Sequence, residues 1–72
     1  MKAENIDIGM QVFVKESAVE VRVPKTFTGQ VCVVAAYDPS TPDYAVSDGK
    51  DLWYCSAVHL RKPRQGDRGF TK

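Results

Sequence analysis

Cys55 and His59 stand four residues apart, with Asp48 and Asp51 just upstream and a second thiol at Cys32. A thiol, an imidazole and a carboxylate can form a nucleophilic triad, the imidazole drawing the proton from sulfur and the carboxylate orienting the ring. The neighbouring residues argue against that chemistry. Cys32 lies within Val31-Cys32-Val33-Val34 and Cys55 closes Trp53-Tyr54-Cys55. A thiol in such a run behaves as a small core hydrophobe, whereas a reactive thiolate needs a part-exposed, electropositive setting. The same residues make a poor metal set, because zinc takes four ligands in paired spacings and no C-x-x-C occurs. Neither a Gly-rich phosphate loop nor an H-E-x-x-H helix is present. The expectation is packing for all three residues, reduced thiols, no metal, no cofactor and no enzyme.

Recognition through aromatic side chains is the stronger alternative. Tyr37 and Tyr44 flank a loop, residues 38–43, that also supplies Asp38 and Asp43. Together with Tyr54 they are the candidate protein-contact residues, since a phenol buries a ring while keeping one wet end. Alternation sets Trp53 on the face of Cys55, which predicts a core role for it, and sends Leu52 and Tyr54 the other way.

These residues need a scaffold, and 72 residues allow one small domain. With 43% hydrophobic and 26% charged residues the chain is of globular composition. No apolar run nears the roughly 18 residues of a membrane span. The polar opening has no signal-peptide core, so a cytoplasmic location is expected.

No segment keeps helical periodicity long enough for an α-helix. Gln11-Val12-Phe13-Val14 alternates as a strand does, with Val12 and Val14 on one face. Val19-Glu20-Val21-Arg22-Val23 alternates strictly and stops at Pro24, the pattern of an edge strand. Such an edge could accept a partner strand or form a weak homodimer; alternatively the segment folds over the core and turns its valines inward. Residues 30–37 form the most apolar run and are expected to be the most fully buried strand. Tyr44-Ala45-Val46-Ser47 and Leu52-Trp53-Tyr54-Cys55 flank Asp48-Gly49, a hairpin signal that also suits a longer turn over Lys50 and Asp51. Ser56-Ala57-Val58-His59 suits one 3₁₀ turn before a last short strand at Leu60-Arg61-Lys62. The fold class predicted is all-β: a small five-stranded barrel over residues 8–62, an N-terminal lead of 1–7, and a flexible basic tail of 63–72.

In this order the elements resemble the SH3-like barrels, the group of SH3, Tudor and KOW-type domains. The resemblance rests on Ile8-Gly9-Met10-Gln11-Val12-Phe13-Val14, the long arm to Thr28, and Gly29-Gln30-Val31. It continues in Tyr44-Ala45-Val46-Ser47-Asp48-Gly49 and closes with Leu52-Trp53-Tyr54-Cys55-Ser56-Ala57-Val58-His59-Leu60. It implies a non-enzymatic binding module. From the Tudor side it implies a cation cage drawn from Tyr37, Tyr44 and Trp53 or Tyr54, completed by a carboxylate. By size the chain is similar to small bacterial or phage proteins that modulate a larger host complex.

Charge separates the two kinds of partner. Residues 1–60 carry five basic and eight acidic side chains, hence −3; residues 61–72 carry five basic and one acidic, hence +4, together giving the formal +1. A nucleic-acid barrel should present Lys and Arg on its binding face, because phosphate contacts supply most non-specific affinity. Here the barrel is mildly acidic, which favours a protein partner. Nucleic-acid binding through Arg61, Lys62, Arg64 and Arg68 is the alternative.

Overall fold

The computed structural model describes residues 5–69. Five strands form one antiparallel sheet in the order β4-β3-β2-β1-β5. They are β1 (Gln11–Val14), β2 (Gln30–Asp38), β3 (Asp43–Ser47), β4 (Leu52–Cys55) and β5 (Leu60–Arg61). The regular connections are 3₁₀ helices at Glu16–Val21, Lys25–Phe27 and Ala57–His59. The fold is all-β, and the 3₁₀ turn before the last strand lies where the sequence places it.

One face of the sheet carries the core. Val12 and Val14 of β1, Cys32 and Val34 of β2, Val46 of β3, Cys55 of β4 and Leu60 of β5 are all but inaccessible to water. Ile6, Ala18, Val23, Phe27 and Tyr44 complete the cluster. At about 25 cal/mol per Å² of apolar surface, these residues are the main stabilising term of a domain too small for a second layer.

β2 differs from expectation. It is central in the hydrogen-bond ladder, pairing with β1 through residues 30–33 and with β3 from Val33 onward. Yet Val33 and Tyr37 are both more than 40% exposed. Val33 lies on the face of the sheet away from the core, whereas Tyr37, past the register shift, shares the face of Tyr44 near the far end of the strand. The register shifts between Val34 and Ala36, a bulge that lets one long strand serve two neighbours at different angles. The most completely buried strand is β3, where Tyr44, Ala45 and Val46 are all enclosed.

The arm also departs from its pattern. Residues 16–21 are 3₁₀ helical, not a strand. The edges they would need are taken, since β1 is paired on both sides by β2 and β5. Local bonds satisfy the backbone instead: the Arg22 amide donates to the Val19 carbonyl at 3.1 Å and the Val23 amide to Ala18 at 3.3 Å. Arg22 ends the helix in the left-handed region at φ 72°. Ala18 and Val23 turn inward, whereas Val19 and Val21 remain exposed. Of the two alternatives the sequence left for the arm, the strand edge is therefore absent.

The β3–β4 connection is the longer form of the turn. Asp48 Oδ1 accepts from the amides of Lys50 (2.9 Å) and Asp51 (2.7 Å). Gly49 sits at φ 94°, a conformation that costs glycine little and other residues more.

The packed unit extends past 8–62 at both ends. Ile6 lies in the core. After β5 the chain folds back across the outer face of β1, and the Val31 amide donates to the Arg68 carbonyl at 2.8 Å. β3 ends opposite Val33, so Arg68 takes the place of a ladder partner that the sheet does not provide. The stretch expected to be a flexible tail is thus hydrogen-bonded to the sheet as far as Arg68, and Lys72 lies outside the described residues.

Candidate functional site

The predicted contact residues divide between the two faces. Tyr37 and Tyr44 pair across β2 and β3, and their rings meet at 4.8 Å between centroids with a 41° tilt. Tyr37 is exposed, but Tyr44 is 6% accessible and belongs to the core, so it cannot serve as a surface anchor. Burial, with Tyr37 and Asp7 nearby, pushes its phenol pKa up. Tyr54 is exposed and lies opposite Ala45, on the reverse face from the tyrosine pair. Trp53 lies opposite Val46. The expected cation cage is not assembled, because its rings stack on one another, enter the core or sit on opposite faces.

Asp38 and Asp43 are brought together as the last pair of the β2–β3 ladder. Asp38 Oδ1 accepts from the Ser40 hydroxyl (2.6 Å) and amide (3.0 Å), which holds its carboxyl below the usual range. Hydrogen bonds from the Asp51 and Lys50 amides act likewise on Asp48. The β2–β3 and β3–β4 connections thus each hold one carboxylate, Asp38 and Asp48, in its ionised form.

The thiol and imidazole pack as the sequence suggests. Cys32 and Cys55 are free and buried. Desolvation pushes their pKa values up to about 12 and about 11, so neither offers a thiolate near neutral pH. His59 is buried, and its Nδ1 shares a 2.9 Å hydrogen bond with the Ser17 hydroxyl. No group of three or more potential metal ligands occurs among the described residues.

Among the basic candidates, Arg61 is already engaged. Its guanidinium lies 3.8 Å from the Phe13 ring centroid and makes two 3.0 Å bonds to the Asp67 carboxylate. That pairing, with the Arg64 amide at 2.6 Å, folds the 61–67 turn and lowers the Asp67 pKa. Lys62, Arg64 and Arg68 are exposed. Lys62 and Arg64 follow β5 directly and form a basic border there, whereas Arg68 is carried across the sheet to Val31 of β2.

On β4 sequence reasoning picked out Tyr54 but placed Trp53 in the core. Leu52, Trp53 and Tyr54 are 47%, 38% and 48% exposed, so Trp53 is not the core residue that alternation predicts. The strand is the outermost of the sheet, and an edge strand has neighbours on one side only. Trp53 instead helps line a groove of about 390 Å³ with Pro24, Phe27, Asp48 and Asp51. The signal in the sequence is a run of large apolar residues with no polar alternation, directly after a hairpin turn. Compared with known proteins, the chain matches no family model, and no curated protein or solved structure shows a significant match to it. No helix among the described residues is long and apolar enough to cross a membrane.

Proposed function

We propose that this chain is a small SH3-like barrel acting in the cytoplasm as a non-enzymatic protein-interaction module, one that modulates a larger assembly. The fold reading is supported by the strand order, with β5 beside β1 and β4 at the far edge. The irregular arm between β1 and β2 and the 3₁₀ turn before β5 also fit. The functional reading is carried by one observation: three consecutive large apolar residues, Leu52, Trp53 and Tyr54, stand exposed on an edge strand. Scattered exposed leucines and valines are normal, but large apolar side chains exposed on both faces of one edge strand, Leu52 and Tyr54 on one and Trp53 on the other, mark a contact surface. Tyr37 is a separate exposed ring on β2, paired with the buried Tyr44 on the face opposite Tyr54. Asp38 and Asp43 close the β2–β3 ladder, and Tyr44 is buried opposite Cys55 of β4.

Affinity capture with the wild-type chain, Trp53→Ala and Tyr54→Ala tests this. The expected result is a protein retained by the wild type and lost by both variants. Retention of every captured protein by both variants overturns the assignment. So does micromolar binding of duplex or single-stranded nucleic acid, with a steep salt dependence, that is lost when Lys62, Arg64 and Arg68 become Gln.

A further inference from the structure

We propose that the free edge of β4 receives an extended segment of a partner protein as an added antiparallel strand, apolar at its centre and basic at each end. This rests on the interaction-module reading and specifies how the partner binds. Among the described residues, β4 pairs with β3 and has no strand on its other side. The opposite edge is unsuited to the role, because β5 is two residues long and Pro63 follows almost at once. Exposed edges are ordinarily blunted by Lys, Pro or a bulge. β4 has none of these: Leu52 to Leu60 contains no Lys, Arg, Asp, Glu or Pro.

Side chains on both faces would grip such a strand. Trp53 opens toward the groove it shares with Pro24 and Phe27. Leu52 and Tyr54 lie on the other face, where Leu52 continues the row of Val33 and Ser47. An added strand points alternate side chains to each face. Its main chain would complete the β4 ladder while its side chains cover Trp53 on one face and Leu52 and Tyr54 on the other.

Charge selects the occupant. Within residues 30–58 the carboxylates of Asp38, Asp43, Asp48 and Asp51 face a single cation, Lys50. Asp48 and Asp51 stand at the start of β4; Asp43 directly precedes Tyr44, the partner of Cys55 at its end. A second copy pairing through β4 would bring two such acidic borders together, and like charges at an interface oppose association. A strand with a Lys or Arg at each end meets Asp48 and Asp51, with Lys50 between them, at the start of β4 and approaches Asp43, one strand further in, at its end. At about 3.4 Å per residue, those basic residues belong roughly five positions apart.

The test uses the full chain, isotope-labelled, titrated with the peptide Lys-Thr-Val-Thr-Val-Lys and followed by amide chemical shifts. Two control peptides carry Glu at both ends or Pro at the centre. The Lys-ended peptide should shift Leu52, Trp53, Tyr54 and Cys55 with a Kd between about 10 µM and about 1 mM. The Glu-ended peptide should bind about tenfold more weakly, and the Pro-containing one not at all. Tyr54→Lys, made at an exposed position so that the fold persists, should abolish the shifts. Equal binding of Lys- and Glu-ended peptides, shifts confined to residues outside β4, or no binding at about 1 mM overturns the proposal. So does a dimer formed through β4 in light scattering. Should the peptides fail while Trp53-dependent capture persists, strand addition is wrong and the module reading stands. Should capture fail as well, both are wrong.

Discussion

Tyr44 and Tyr54 are the same residue type two strand positions of chemistry apart in fate: one is enclosed in the core, the other half-exposed on β4. Truncating them should therefore separate stability from binding. Tyr44→Ala leaves a cavity beside Val46 and Cys55 and should cost about 3 kcal/mol, much of the stability of so small a domain. Tyr54→Ala should change stability by less than about 0.5 kcal/mol. Urea unfolding of the two variants checks both. Asp67 supports a second prediction. Its carboxyl titrates below the ordinary range chiefly because Arg61 hydrogen-bonds it. A depressed folded-state pKa adds stability above the unfolded value of about 3.9, and that stability is lost as pH falls through the folded value. Wild type should thus be more stable than Asp67→Asn at pH 7, with the difference vanishing in acid. Thermal melts across that range would show it, and a difference independent of pH would refute it.

At the scale of elements, the sequence made legible what depends on local chemistry. The strands at Gln11–Val14, Gln30–Asp38, Asp43–Ser47 and Leu52–Cys55, and the 3₁₀ turn at Ala57–His59, follow from alternation, turn residues and β-branched runs. What stayed hidden depends on neighbours. The valines at 19, 21 and 23 read as a strand, but strand formation requires an open edge, and both edges of β1 are occupied. Trp53 read as core because alternation gives the face of a residue and not its distance from the sheet margin. The candidate site was likewise half legible: Tyr54 lies on β4 itself, Tyr37, Asp38 and Asp43 sit apart at the end of the β2–β3 ladder, and Leu52 and Trp53 emerge only once β4 is known to be outermost. The β3–β4 turn offers a prediction at this scale. Gly49→Ala places a Cβ at φ 94°, where nothing collides with it, so the cost is conformational and should be about 1 kcal/mol. Chemical denaturation measures it; an unchanged midpoint would show that the turn relaxes without strain.

At the scale of the whole molecule, the near-neutral charge conceals an acidic sheet margin and a basic C-terminal return. The return is structural. It holds the Arg61–Asp67 pair at 3.0 Å, caps the Val31 amide and brings Gly69 so near Val31 that a Cβ there would lie 3.2 Å from the Val31 carbonyl oxygen. Deleting residues 63–72 should lower the thermal midpoint by about 5–10 °C, whereas loss of an unattached tail would leave it unchanged. The C-terminal return thus closes the fold against β2, while β4 at the sheet margin has no strand on its outer side among the described residues.

Amide hydrogen exchange at β4 examines the central claim most directly. In the free chain, amides of Leu52, Trp53, Tyr54 and Cys55 that do not bond to β3 should exchange rapidly. With saturating Lys-ended peptide those amides should slow by at least about tenfold, while exchange around Arg61 and Arg68 stays as it was. Unchanged exchange along β4, or protection appearing at the basic border instead, would contradict the account.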